Sequence, residues 1–466
     1  MYKKTLSADG MLAVVRKSFD KITDSRTTRP SISKTDALMT ALSAFTFKLG
    51  SFNSFYNRLD DSKDPFKKSI GKLFKINNIP SSTRLKEIID PLDSVQVSEV
   101  FKDIFREAQR GKVLEPYVFL NGHYLVAGDG TQYFESKKIN CKRCLVKKQK
   151  DGTIGYSHQL YAGCLIHPKL KQVIPFAPEP IQNEDGNTKN DCERNASGRF
   201  LEKLRRDHPK MNFIITEDGL SSNGPHIRKI QSLGMKFILG AKPGDHKYLY
   251  EWVNSLDDGE VQTAERFFIT GKKVFRKTTQ KICYVNEVPL NDANHNLKVN
   301  FLELEETVEK RIEELSHDKN GMPKMIYTWK KEKTTKFTWV TDIKINDSNV
   351  FTIMEGGRKR WSIENETFNT LKNMGYNWEH NFGHGEDNLA TNFSLLMMLA
   401  FTIDQIQELC CPLFRKALER LKNRKKRLWE TIRALLDLVR WIGNPFDNWK
   451  KFFELIIYGP QGVDTS

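Results

Sequence analysis

Three carboxylates lie where a metal-dependent reaction would need them. Asp129 and Asp218 each follow an apolar run and precede a glycine, and Glu364 lies in a segment with helical apolar spacing. Carboxylates without cysteine or histidine partners suit hard cations such as Mg²⁺ or Mn²⁺. Two such ions about 4 Å apart can activate a water or sugar hydroxyl and stabilise the leaving oxygen of a phosphodiester. The three acids therefore predict phosphoryl-transfer chemistry.

Each acid also has a plain structural interpretation. An Asp-Gly pair is typical of a turn, and Glu364 could be a surface acid on a partly buried helix. Glu366 is a second candidate for the third acid. The chemical interpretation therefore depends on the elements that carry the three residues.

The segment around Glu364 predicts a helix over residues 358–372. Trp361, Phe368 and Leu371 recur at intervals that place them on one face. Glu364 would lie at the edge of that buried face, where a carboxylate needs a partner such as a metal ion.

The elements upstream predict an α/β fold. A strand, or a hairpin turning at Asn121-Gly122, precedes the run Gly128-Asp129-Gly130-Thr131. The further expected elements are strands at 158–167, 172–181, 212–216 and 236–240, and helices at 192–208 and 224–233. Three antiparallel-looking strands followed by alternating helices and strands predict a mixed sheet flanked by helices.

This order is similar to the ribonuclease H-like fold. That fold carries one acid on its first strand, one at the end of its fourth strand and one on a later helix. Asp129, Asp218 and Glu364 match those places in turn. The expected fold is thus a ribonuclease H-like mixed-sheet core with an inserted, mainly β subdomain between helical ends.

The expected regions are assigned along the chain. They are a helical DNA-binding region (1–115), the first part of the catalytic core (116–242), the β-rich insertion (243–350), the end of the core with the third acid (351–408) and a basic helical C-terminal region (409–466).

Three short motifs carry a family resemblance. Gly128-Asp129-Gly130-Thr131, Thr216-Glu217-Asp218-Gly219-Leu220 and Arg360-Trp361-Ser362-Ile363-Glu364 resemble the acidic motifs of DDE-type transposases of bacterial insertion sequences. The resemblance covers roughly residues 115–400. It implies an enzyme that cuts DNA at terminal inverted repeats and joins the 3′ ends to a target. By resemblance, Asp129, Asp218 and Glu364 bind Mg²⁺ or Mn²⁺, and Arg360 contacts a phosphate.

The last motif departs from the branch of the family whose catalytic domain is interrupted by an insertion. Gly357 stands where that branch often has a tyrosine, and Leu371 stands where it has a lysine. Lys372, one position later, is a candidate phosphate contact. Whether excision passes through a DNA hairpin is therefore left open.

Charge favours a polyanionic partner. The chain has 74 Lys and Arg against 58 Asp and Glu, a net charge of +16, which favours double-stranded DNA, as element ends and as target. Ser81 or Ser82 can cap a helix that follows a turn and carries Arg84 and Lys86, similar to a helix-turn-helix but equally to any helical hairpin.

A second basic segment lies in a predicted helix over 412–441. Arg424 and Lys425 lie on its basic stretch, which either follows a phosphate backbone or is the solvated face of a docking or coiled-coil helix. We expect a homodimer or a higher assembly on DNA.

The cysteines suggest a reducing compartment. There are seven, an odd number, without a disulfide pattern. Cys141 and Cys144 form a lone CxxC. The missing second pair weighs against zinc there, and His123, His158 or Cys164 would have to complete such a site. With no apolar leader and no long apolar run, we expect a cytoplasmic, nucleoid-associated protein of a bacterium or archaeon, without a membrane partner.

Two other functions remain open. A structure-specific nuclease of the same fold would cut DNA without joining it, and a catalytically idle relative would only bind DNA. In the insertion, Trp329 and Trp339 are either core strand residues or, for one of them, a platform for an unpaired base.

Overall fold

The computed structural model describes residues 4–26, 30–59, 65–183, 189–257, 259–317, 319, 322–442 and 446–459. The chain divides into two compact units. The first comprises Met1–Val118, Gly128–Pro209 and Trp361–Ser466, and the second comprises Phe119–Ala127 and Lys210–Arg360.

The N-terminal part of the first unit is helical, as the sequence predicts. Its helices are α1 (Ala8–Asp20), α2 (Lys34–Thr46), α3 (Phe52–Leu59), α4 (Pro65–Phe74), α5 (Ser82–Ile89) and α6 (Ser94–Arg110). Ser81 is the residue that caps α5, because its side chain accepts the backbone N–H of Arg84.

Strand β1 (Tyr124–Ser136) begins in the second unit and continues in the first. It extends past the predicted end of the first strand, so Asp129 lies within it. The first unit continues with β2 (Leu145–Lys148), β3 (Ile154–Ile166), β4 (Ile174–Pro175), β5 (Glu179–Ile181) and α7 (Glu193–Asp207). In its sheet, β3 lies between β1 and β2, and β4 and β5 pair with β3 in antiparallel orientation.

The second unit holds the remaining strands. Its elements are β6 (Phe213–Glu217), α8 (Gly224–Ser232), β7 (Lys236–Gly240), α9 (Lys247–Asn254), β8 (Gln262–Thr270), β9 (Arg276–Pro289), β10 (Lys298–His317), β11 (Pro323–Thr341) and α10 (Val350–Lys359). The pairs β1–β6 and β6–β7 are parallel, whereas β7–β11, β11–β10, β10–β9 and β9–β8 are antiparallel. The predicted mixed sheet with flanking helices is confirmed.

The two tryptophans of the long β10–β11 hairpin differ in solvent exposure. Trp339 is 5% exposed, and its indole fills the space beside Gly357, where a Cβ would lie 2.4 Å from Nε1. Trp329 is half-buried. Trp339 is thus a core residue, and the missing side chain of Gly357 makes room for it.

The helix predicted over 358–372 is interrupted. After α10 the chain forms a π-helix (Ile363–Phe368) and then α11 (Asn369–Asn373). Trp361 is 49% exposed, while Phe368 and Leu371 are buried. The prediction that these three share one face is wrong, because the wider π turn inserts an extra residue and shifts the helical phase.

The C-terminal helices of the first unit are α12 (Leu389–Cys410), α13 (Pro412–Arg420), α14 (Lys425–Ile442) and α15 (Trp449–Tyr458). The single helix predicted over 412–441 is wrong, because Lys422 and Asn423 both adopt φ of 57° and end the first helix. Helix α12 is long and apolar enough to cross a membrane, but 94% of its apolar window is buried, as in a core helix.

Candidate metal centre and acidic residues

Four side chains of the first unit form a group that could hold a metal ion. Cys141 and Cys144 lie between β1 and β2, His158 lies on β3, and His384 lies in the loop before α12. Their ligand atoms all lie within 4.8 Å of one another. A single cation could therefore contact two sulfurs and two imidazole nitrogens.

The separations within this centre are short. The two Sγ atoms are 3.8 Å apart, and Nε2 of His158 lies 3.4 Å from each of them. Nε2 of His384 lies 3.3 Å from Sγ of Cys144. Cys144, His158 and His384 are buried and Cys141 is half-buried, so the ligand set is largely shielded from water.

The electrostatics of the centre favour a thiolate. A hydrogen bond from the Cys144 thiol is the largest effect that lowers the pKa of Cys141, and His158 and His384 add to it. The same hydrogen bond, together with burial, raises the pKa of the Cys144 thiol. Cys141 is therefore the thiol that ionises first and could supply the thiolate that a metal binds.

Aromatic packing fixes both histidine rings. His158 stacks on Tyr133 at 5.8 Å between centroids, and His384 lies 4.5 Å from Phe134. Nδ1 of each histidine is buried and has no hydrogen-bond partner within the described residues. The orientation of the rings thus depends on packing, where many metal sites use a hydrogen bond to the distal nitrogen.

The loop that carries His384 is anchored by Asp90. The Asp90 carboxylate accepts the backbone N–H groups of four consecutive residues, Glu386, Asp387, Asn388 and Leu389, at 2.9–3.1 Å. Gly385 has φ of +71°, and a Cβ there would lie 2.4 Å from Oδ1 of Asp90. The end of α5 thereby caps α12 and sets the position of the loop.

The sequence identified only part of this centre. Of the three residues proposed to complete a site, His158 belongs to it. Cys164 does not, since it is buried beside Thr367 Oγ1 at 3.4 Å. His123 does not either, since its Nδ1 lies 3.0 Å from the Leu120 carbonyl in the second unit.

His384 was missed by the sequence reasoning. The available signal was the pair His380-x-x-x-His384 downstream of the CxxC, a spacing known from zinc sites. Only the second histidine of that pair joins the cluster, and His380 is exposed.

Among the predicted catalytic acids, Asp129 lies half-exposed within β1. Beside it, the Gly130 N–H donates to Oε1 of Glu193 at 3.2 Å. A Cβ on Gly130 would lie 2.5 Å from Oε2 of the same carboxylate. The absent side chain makes room for Glu193 at the start of α7.

Asp218 ends β6 in the second unit. Its Oδ1 accepts the Leu220 N–H at 3.0 Å and caps a short 3₁₀ turn. The preceding residue, Glu217, is buried and bonded to His226. Asp218 is half-exposed, so its position at the strand end leaves the carboxyl group in reach of solvent.

Glu364 lies on the π-helix of the first unit, as does its rival Glu366, and both are half-buried. Single-turn π segments are rare and are frequently found at functional sites.

The predicted DNA contacts have different surroundings. Three have acidic partners, with nitrogen–oxygen distances of 2.5–2.8 Å: Arg84 with Glu87, Lys372 with Glu379, and Lys425 with Glu408. Lys86 is half-buried, and its Cε would lie 3.0 Å from a Cβ on Gly383. Arg360 is half-exposed and Arg424 is exposed.

Comparison with protein-family models and with curated proteins gives no match for this chain. Its function is therefore inferred from the residues and their geometry.

Proposed function

We propose that this chain is a DDE-type DNA transposase with a ribonuclease H-like core. One observation carries the proposal: β1 and β6 pair in parallel, with Ala127 opposite Thr216. Asp129 and Asp218 each follow this last pair by two residues. In addition, β4 and β5 pair with β3, β3 adjoins β1, and β6 adjoins β7, which fits the mixed sheet predicted from the sequence.

In this proposal Asp129, Asp218 and Glu364 hold Mg²⁺ or Mn²⁺. The donor set suits these ions, because all three are partly exposed carboxylates and Glu193 adds another beside Gly130. The bound ions would lower the cost of generating the attacking oxyanion and of charging the leaving oxygen.

The chain's own residues bind and orient the DNA. Arg360 and Lys372 contact phosphates near the cut, and the basic segments around Arg84 and Arg424 hold the flanking duplex. In cleavage, a water oxygen bonds to phosphorus as the bond to the 3′ oxygen breaks. In joining, the freed 3′ hydroxyl attacks a target phosphodiester and releases a target 3′ hydroxyl. A dimer assembled on DNA, in the cytoplasm, would bring two ends together.

We further propose that the Cys141–Cys144–His158–His384 centre holds Zn²⁺. For bonds of about 2.3 Å to sulfur and about 2.0 Å to nitrogen, tetrahedral angles place two sulfurs about 3.8 Å apart and sulfur and nitrogen about 3.5 Å apart. The observed 3.8 Å and 3.3–3.4 Å agree with this geometry. Four protein ligands leave no open position, so the ion would be structural.

The catalytic assignment is tested with Asp218→Asn. We expect the variant to lose cleavage of DNA that flanks the gene while binding its ends with nearly unchanged affinity. Asp292→Asn, at an exposed position of the same unit, is the matched control and should cleave normally. Retained cleavage in Asp218→Asn, or loss of binding and cleavage together in a misfolded protein, would remove Asp218 from the catalytic set.

A further inference from the structure

A column of four aromatic rings crosses the first unit. His158, Tyr133, Trp378 and Phe368 stack in that order, with successive centroids 5.8, 5.7 and 6.0 Å apart. The planes of neighbouring rings differ by only 23°, 13° and 28°. The column therefore connects a ligand of the metal centre to the π-helix that carries Glu364.

Hydrogen bonds hold Trp378 in place in addition to the ring stacking. It is 1% exposed, and its Nε1–H donates to Oγ of Ser394 on α12 at 2.8 Å. Its backbone N–H donates to the Leu371 carbonyl in α11 at 3.1 Å. Rotation or displacement of the indole would break a buried hydrogen bond as well as two ring contacts.

Two rings of the column, Tyr133 and Phe368, lie on elements that carry proposed catalytic acids. Tyr133 follows Asp129 by four residues on β1, so the two side chains lie on the same face of the strand. Phe368 closes the π-helix four residues after Glu364. The π-helix is also attached to β3 through Thr367 and Cys164.

The metal centre holds the loop between α11 and α12 (residues 374–388) at a second point, through His384. The chain leaves α11, places Trp378 in the column and reaches His384 six residues later. His384 lies against Phe134, which follows Tyr133 directly. A π-helix is an uncommon backbone geometry that depends on its surroundings, and these surroundings are set by the loop.

We propose that Trp378 is a positioning residue for the Glu364 and Asp129 carboxylates, and that the metal centre holds Trp378 in place. This inference rests on the proposed transposase function for its catalytic part. The ring column preorganises the two carboxylates, so that binding the catalytic cation requires no rearrangement of the π-helix.

The test compares Trp378→Leu with Trp378→Phe in the full chain. The first readout is amide hydrogen exchange over 363–373. The second is the Mn²⁺ concentration that gives half-maximal cleavage of a DNA end. Phe105→Leu is the matched control, since Phe105 is a buried ring of the first unit that contacts Phe176 and His208 and lies outside the column.

We expect Trp378→Leu to exchange faster over 363–373 than the wild type while α6 and α1 are unaffected. We expect it to need about tenfold more Mn²⁺, with end binding unchanged. Trp378→Phe should stay close to the wild type in both amide exchange over 363–373 and Mn²⁺ requirement, because it keeps a ring in the column. Removing the ion of the metal centre with a chelator, before Mn²⁺ is added, should produce the same local exchange as Trp378→Leu.

Three outcomes would overturn the inference. They are exchange that rises equally throughout the first unit, a Mn²⁺ requirement that rises as much in Phe105→Leu, and chelation that leaves 363–373 unchanged. If the wild type does not cleave DNA at all, the proposed function fails. The amide hydrogen exchange measured over 363–373 then still decides whether the column holds the π-helix. If Trp378→Leu does not fold, the comparison of Trp378→Phe and chelated protein with wild type decides the question.

Discussion

Nε2 of His384 lies 3.3 Å from Sγ of Cys144, although the two residues are 240 positions apart in the chain. The contact joins the loop before α12 to the segment after β1. Because a metal ion at this point would cross-link two distant parts of the first unit, its loss should affect both.

Zinc content should depend on His384. We expect purified protein to hold a single zinc ion per chain and His384→Ala to lose it, with an unfolding temperature lower by roughly 5 °C or more. His380→Ala is the matched control and should retain the metal, since His380 is exposed and outside the cluster. Metal analysis and thermal unfolding give the readouts. Equal zinc in wild type and His384→Ala would refute the proposed ligand set.

Asp90 should be important for stability despite lying outside any catalytic element. Asp90→Ala removes the acceptor of four backbone N–H groups at the start of α12. We expect a loss of about 2 kcal/mol in the free energy of unfolding of the first unit, and weaker zinc retention because the His384 loop loosens. Urea unfolding followed by zinc titration measures both. Asp93→Ala, which removes the ordinary single cap of α6, should cost less and leave zinc retention unchanged.

His208 should make the first unit sensitive to acid. Burial between Phe105 and Phe176 lowers the pKa of His208 to about 4, while the unfolded chain titrates near 6.5. The unfolded state therefore binds more protons between these values, and stability is lost as pH falls through that range. The full pKa shift corresponds to about 2 kcal/mol of unfolding free energy between pH 7 and pH 5. Because the side chain is only half-buried, we expect a loss of about 1 kcal/mol. Urea unfolding of His208→Gln should show a shallower pH dependence, and an identical one would contradict the assignment.

The exposed basic residues between α13 and α14 and in the first turn of α14 should bind phosphates. Replacing Lys422, Arg424, Lys426 and Arg427 by glutamine should reduce the slope of log affinity against log salt by about 0.9 for each phosphate that is no longer neutralised. Lys425→Gln is the comparison, because its amine pairs with Glu408 and should contribute less. Substituting these side chains is a better test than deleting the C-terminal helices. A deletion would also remove Trp449, Phe452 and Phe453, which are buried core residues. An unchanged salt slope would make this segment an ordinary solvated surface.

Local sequence patterns predicted the elements that depend on local chemistry. Helix α6 runs from Ser94 to Arg110, inside the region predicted to be helical, because Asp93 caps one end and Gly111 follows the other. The parallel strands β6 and β7 were predicted from their apolar runs, since strands buried on both faces carry little else.

The features that were missed depend on tertiary contacts. The π-helix at Glu364 is stabilised by Phe368 against Trp378 and by Thr367 against Cys164, and no residue of the segment itself signals a wider turn. The end of α13 is an exception, because Asn423 is a local signal that was missed: asparagine adopts a positive φ more readily than most residues, whereas Lys422 gives no such signal. His384 joins Cys144 because the fold brings the two segments together. The spacing of His380 and His384 is a signal for a metal site, but it does not specify which histidine takes part.

The central claim is metal-dependent cutting and joining of DNA, and one assay tests it most directly. Purified protein is incubated with Mg²⁺ or Mn²⁺, a plasmid target and a duplex carrying the DNA that flanks its gene, beside an Asp129→Asn control. We predict nicking at the repeat boundary and joining to the plasmid, both absent in the control and without divalent metal. Cutting without joining would favour a nuclease, binding without cleavage would favour an idle relative, and no binding to DNA would contradict the claim altogether.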